Sequence, residues 1–210
     1  MDPAAASETM ETDQKLKNMF PHDEDARRLT THTRTLAEFL VEDAGYDPPR
    51  LERRALVHGH CHQEAVMGLS AEQRLYEKMG LDFEVLDSGC CGLAGSFGFE
   101  REHYEISMRI GERRLLPAAR EAAPETLLLA DGFSCKTQIE HGTDRRALHT
   151  AQVIKMALDH GKSGPPGGLP ERHYPDVVPG EGGPPLREAA VVGGALAGGA
   201  LLWALKRRLA

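Results

Sequence analysis

The strongest constraint in this sequence is an alternation. Three short apolar runs, Ala55-Leu56-Val57, Phe83-Glu84-Val85-Leu86 and Thr126-Leu127-Leu128-Leu129-Ala130, are separated by longer segments with helical periodicity. Runs this short read as strands, and strands alternating with helices require crossover connections and hence parallel pairing. The expected fold is α/β, three-layered, with a mostly parallel sheet. Helices are expected from after Pro21 to near Gly45, from Glu64 to Met79, from Glu100 to Ala123, and around Lys136–His141 and Ala147–Leu158. Asp23, Glu24 and Asp25 occupy the opening turn of the first, where the helix dipole favours acids.

Each predicted strand is followed by cysteine: Cys61 after the first, Cys90 and Cys91 after the second, Cys135 after the third. In an open parallel sheet the C-terminal strand ends share one edge, the edge at which ligands bind. The fold would therefore gather all four thiols. Soft thiolates select iron–sulfur clusters, zinc or copper(I) over hard cations. Adjacent cysteines make a poor ordinary disulfide, because Cα atoms ~3.8 Å apart fall short of the usual ~5.5 Å. Gly89, Gly92, Gly95 and Gly98 would let the backbone approach an inorganic centre and donate N–H groups to its sulfurs. His58, His60 and His62 flank Cys61, as ligands, as donors to a cluster sulfur or as packing; were the strand to extend this far, alternation would put them opposite Cys61. Two other readings of the thiols stand beside the metal centre: buried space-filling, and a metal-free redox dithiol.

The rest of the chain narrows the setting. Its 210 residues hold one domain plus tails, with 40% hydrophobic and 27% charged residues. A net charge of -7 and 5% aromatic content argue against nucleic acid as a partner. Met1–Lys15 has neither a basic n-region nor an apolar h-region, so it reads as a disordered lead-in and not as a secretory signal. A cytoplasmic location follows as the expectation, and there reduced thiols serve as ligands or nucleophiles. The expected division is lead-in 1–15, cysteine-rich domain 16–160, Gly/Pro-rich linker 161–188 and apolar C-terminal helix 189–210 with a basic end. Ala189–Leu205 would span ~25 Å as a helix, at the lower limit for crossing a bilayer. Spanning, peripheral membrane association through 189–205, and a partner-bound tail are all left open.

The motifs resemble a known family. Cys61, then Cys90-Cys91-Gly92, then Cys135 is similar to the CCG cysteine-rich domain, found in the B subunit of heterodisulfide reductase and the C subunit of anaerobic glycerol-3-phosphate dehydrogenase. His58–Gln63, Cys90–Gly98 and Asp131–Glu140 are especially similar to the C-terminal module of large FAD-linked oxidases. The resemblance covers about residues 16 to 160. It implies an electron-transfer module of a flavin-dependent oxidoreductase acting on a 2-hydroxy acid or similar alcohol. Cys61, Cys90, Cys91 and Cys135 would be ligands of an iron–sulfur cluster, 4Fe-4S in type, with Gly92, His60 and His62 lining it. The family pattern often closes with Cys-x-x-Cys, whereas here Gln138 stands three residues after Cys135. That departure removes the fifth thiol of a two-part cluster. It leaves a four-thiolate cluster, a centre completed by His60 or His62, or a zinc ion in a structural or assembly protein or a truncated, non-catalytic relative. These 210 residues contain no Gly-rich dinucleotide fingerprint after an early strand, so FAD is expected only on a partner chain, a flavoprotein oxidoreductase subunit.

Overall fold

The structure is a computed structural model that describes residues 18–174. The lead-in 1–15 and the apolar tail 189–210 lie outside the described residues.

Three strands form: β1 (Arg54–Val57), β2 (Asp82–Val85) and β3 (Leu127–Leu129). They pair in parallel in the order β2-β1-β3, with Leu56 opposite both Glu84 and Leu128. The fold is thus α/β around a parallel sheet, as the alternation predicts. The chain steps from β1 to β2 in one direction and from β2 past β1 to β3 in the other. Right-handed crossovers then place the connecting helices on opposite faces.

The packing follows this rule. On one face Ala55, Val57, Leu127 and Leu129 bury against Leu75, Tyr76 and Met79 of one helix and Val153, Met156 and Ala157 of another. These helices are α4 (Ser70–Met79) and α8 (Thr150–His160). On the other face Leu128 and Ala130 pack with Leu115 and Ala119 of α6 (Leu115–Glu121) and with Cys135 and Ile139 of α7 (Phe133–Gly142). Successive residues of β3 serve opposite layers, which is why the strand reads Leu-Leu-Leu with no polar position. Leu148 bridges in parallel to Leu129 and covers the outer edge of β3.

Three expected helices are divided. The first becomes α1 (Glu24–His32), capped by the Asp23 side chain on Ala26 N–H, and α2 (Leu36–Glu38), which runs on into a π turn over Phe39–Asp43. Thr35 and Glu38 form a reciprocal capping box, so the chain restarts there. The second becomes α3 (Cys61–Val66) and α4, broken at Gly68 with φ +77°. The third becomes a 3-10 turn (Phe97–Phe99), α5 (Tyr104–Gly111) and α6. Pro117 explains the last break: inside a continuous helix its ring would clash with the carbonyl of Arg113, whereas in the first turn of α6 it costs no hydrogen bond.

Residues 161–174, within the stretch read as linker, pack on the domain. Glu171 is 2% exposed and Tyr174 8%. Leu169 N–H donates to Pro124 O at 2.8 Å, and the Tyr174 hydroxyl donates to Asp159 at 3.0 Å. Arg145 donates to Glu171 at 2.6 Å and to the carbonyls of Ala122, Ala123 and Thr126. Gly and Pro here shape a tight strap whose few large side chains are buried. Among the described residues no helix is long and apolar enough to cross a membrane.

Candidate metal centre

The reversal of strand order opens a crevice between the C-terminal ends of β1 and β3, the position where open α/β sheets bind ligands. His58 is still tied to β3 through its N–H to Leu129 O, 2.8 Å. His60 is the N-cap of α3 and Cys61 its first residue, so the strand does not extend far enough to set the histidines opposite Cys61. After β3, Gly132 caps α7 and Cys135 lies in its first turn, with no exposed surface. A Cβ at Gly132 would lie 2.8 Å from His60 Cδ2 and 3.1 Å from Cys135 Sγ. His60 and Cys135 therefore sit side by side across the crevice, over the bare Gly132 backbone.

The loop after β2 carries Cys90 and Cys91. It turns through left-handed residues at Gly89, Gly92, Ala94 and Gly95. Gly92 N–H donates to Cys90 Sγ at 3.3 Å, and Gly95 N–H to Ser134 Oγ at 3.2 Å, fastening the loop to α7. Gly92 combines φ +99° with a Cβ direction that would strike Ser107 O of α5 at 2.2 Å. Its bareness serves the crossing of loop and helix. Gly92→Ala is expected to cost about 3 kcal/mol, from backbone strain plus the displaced helix, and a denaturant titration with unchanged slope measures it.

The thiols act on one another in two pairs. The neighbouring Cys135 thiol is the largest influence on Cys91 and, with smaller help from His58 and the backbone at Leu93, pulls its pKa down to about 4 against the effect of burial. Cys91 in turn, followed by burial, pushes Cys135 well above its ordinary value. Cys61 is raised to about 11, first by burial and then by Cys90. Cys91 and Cys135 belong to the apolar layer behind α6 and α7, while Cys61 and Cys90 are half-buried at the rim. Negative charge on Cys90 or Cys91 thus raises the cost of charge on Cys61 and Cys135.

The histidines divide in role. His58 is 3% exposed; its Nδ1 lies 2.7 Å from Ser88 Oγ, and its Nε2 makes no hydrogen bond of ordinary geometry although the ring lies close enough to favour the Cys91 thiolate. His60 Nδ1 is likewise buried without a partner, and burial lowers the ring's pKa. His62 is exposed, its ring 6.5 Å from that of His60. Gln138, at the position of the expected last cysteine, is buried and donates to Ser107 O and Oγ at 3.2 Å, locking α7 to α5.

The donors present suit a soft metal: four thiols and two buried imidazole nitrogens lacking partners. Their spacing is not that of a mononuclear site. Among the described residues no three His, Cys, Asp or Glu side chains form a group that could hold one metal ion. Sequence reading also missed a cavity of about 10 Å³ beside His58 and His60, lined further by Gln63, Glu72, Tyr76 and Asp131. Its signal was present: Glu72 occupies the buried stripe 72, 75, 76, 79 of α4, where a carboxylate is out of place.

No protein-family model matches the chain, and no solved structure matches it. Among curated proteins it is 38% identical over 130 residues to the C subunit of anaerobic glycerol-3-phosphate dehydrogenase from Escherichia coli, a match covering 60% of this chain and 32% of that protein. It is 26% identical over 119 residues to D-2-hydroxyglutarate dehydrogenase of Pseudomonas putida, covering 56% and 12% respectively. To lactate utilization protein A of Bacillus velezensis it is 28% identical over 140 residues, covering 61% and 57%. Its homologues include dehydrogenases. The matched region spans about a third of the glycerol-3-phosphate dehydrogenase polypeptide and a much smaller part of the 2-hydroxyglutarate enzyme.

Proposed function

We propose that this chain is a CCG-type redox module that holds an iron–sulfur cluster on Cys61, Cys90, Cys91 and Cys135 and exchanges electrons with a flavin-bearing partner protein. The observation that carries the reading is the placement of four free thiols after the strands that flank the strand-order reversal, Cys91 and Cys135 in one buried layer and Cys61 and Cys90 half-buried. Homology to dehydrogenase subunits and larger dehydrogenases supports it, and supports a partner that brings the flavin and the substrate site. A 2-hydroxy acid or similar alcohol is the substrate class proposed for that partner.

Such a cluster supplies one-electron storage. The chain's own residues do the rest. Cys91 and Cys135 provide thiolates inside an apolar layer, Cys61 and Cys90 provide two nearer solvent, and the His58 and His60 nitrogens supply polar contacts to sulfur. Gly92 N–H already donates to the Cys90 sulfur at 3.3 Å, a contact suited to a thiolate ligand. A single zinc ion needs its donors around one point at ~2.3 Å, whereas a polynuclear cluster takes thiolates at separate corners. Four thiols that influence one another, with no three donors among the described residues meeting around one point, favour the polynuclear centre.

Full-length protein prepared and reconstituted without oxygen tests this. The expected result is about four iron and four sulfide per chain and a visible absorption band that bleaches with dithionite. One zinc and no iron would overturn the electron-transfer role. Metal-free thiol-disulfide activity that disappears in Cys91→Ala would do the same.

A further inference from the structure

We propose that Glu72 takes up a proton when the thiol centre gains an electron, so that the cavity beside His60 holds the compensating charge. This rests on the cluster reading above and adds a residue outside its ligand set.

The geometry places a carboxyl where charge has no structural use. Glu72 is 5% exposed on the core-facing stripe of α4, between Ala71 and Leu75. It accepts a hydrogen bond from the neutral amide of Gln63 on α3 at 2.7 Å. The other groups acting on it or lining the shared cavity are Asp131 after β3, His58 and His60 after β1, Tyr76 on its own helix and Thr35 at the start of α2. Asp131 is itself committed, accepting from Thr150 N–H at 2.7 Å and from the Thr150 hydroxyl. Glu72 alone thus combines burial, a neutral donor and a like-charged neighbour. Burial, then Asp131, raises its pKa above the ordinary carboxylate value. A carboxyl so placed is poised to exist in either form.

The route to the thiols is short and polar. The cavity of about 10 Å³ has room for roughly one water. His60 lines it, and the same ring lies beside Cys135 over Gly132. His60 thus links the cavity to Cys135, and charge added at the cysteines acts on Glu72 across a medium that screens poorly. The balance is simple. One electron arrives from the reduced flavin of the partner, one proton from solvent joins the Glu72 carboxylate to give the neutral acid, and net charge is unchanged. Oxidation releases both.

The sign fixes the pH window. Burial and Asp131 raise the Glu72 pKa above the ordinary carboxylate value, and negative charge added on reduction would raise it further. Between those two values the midpoint potential should fall as pH rises, and outside them it should be flat. The test is a mediated redox titration of the loaded full-length protein at several pH values, with iron and sulfide measured on the same samples. Wild-type protein is expected to approach the one-electron, one-proton limit of about 59 mV per pH unit within the window. Glu72→Gln should load equally and lose that slope, and Glu72→Asp, which keeps a carboxyl, should retain it over a displaced range. Infrared difference spectra should show a protonated carboxyl appearing on reduction in wild type only. A loaded protein with a pH-independent potential, or a slope surviving in Glu72→Gln, overturns the assignment and leaves the cluster reading intact. Protein that takes up no iron or sulfide overturns both.

Discussion

Anaerobically reconstituted Cys91→Ala protein is expected to be nearly colourless, with iron and sulfide falling from about four per chain to below about one. The expectation follows from where Cys91 stands. It is 3% exposed, and the neighbouring Cys135 thiol is the largest of the influences that pull its pKa down to about 4. Metal capture requires the deprotonated thiol, so Cys91 is the donor that binds first and with least competition from protons. Its removal takes away that anchor and leaves Cys135, which is relieved of the Cys91 effect but still raised by burial. The fold should survive, because a Cys-to-Ala change in a core removes one sulfur atom at a cost of about 1 kcal/mol. Iron analysis beside a thermal melt separates the two effects. Full cluster content in a well-folded Cys91→Ala protein would remove Cys91 from the ligand set.

The largest effect on stability is expected at Arg145. Its guanidinium, 8% exposed, pairs with Glu171, 3% exposed, and also donates to three backbone carbonyls. Arg145→Met leaves the Glu171 carboxylate buried without its cation and those carbonyls without a donor. Breaking one side of a buried pair costs about 3–5 kcal/mol, or roughly 10 °C in Tm for a domain of this size. Removing both charges is a different matter. Arg145→Met with Glu171→Met should recover much of the loss, because two apolar side chains leave no uncompensated charge. Circular dichroism melts of the single and double variants measure the coupling. A single variant within about 1 kcal/mol of wild type would mean that the pair reaches solvent in solution.

How much of this was legible beforehand depends on the range of the interaction. β3 was readable because a strand buried on both faces needs three apolar residues in a row, and Leu127–Leu129 supplies them. The breaks at Gly68 and Pro117 had local signals, but the apolar spacing of the flanking helices masked them. The strap at 161–174 was not legible, since Gly and Pro composition reads as linker, and only Arg145, distant in sequence, gives Glu171 its partner. At the site the cysteines themselves were plain. That Cys91 is buried while its neighbour Cys90 is half-buried was not, because it depends on the path of a loop with left-handed residues at Gly89, Gly92, Ala94 and Gly95.

That division sets an order in which the thiols meet oxidant. Oxygen and peroxide arriving from solvent reach Cys61 and Cys90 before the buried sulfurs of the α6–α7 layer. Burial thus shields Cys91, the thiol acidic enough to react, while Cys61, which meets oxidant earlier, is held in its less reactive protonated form.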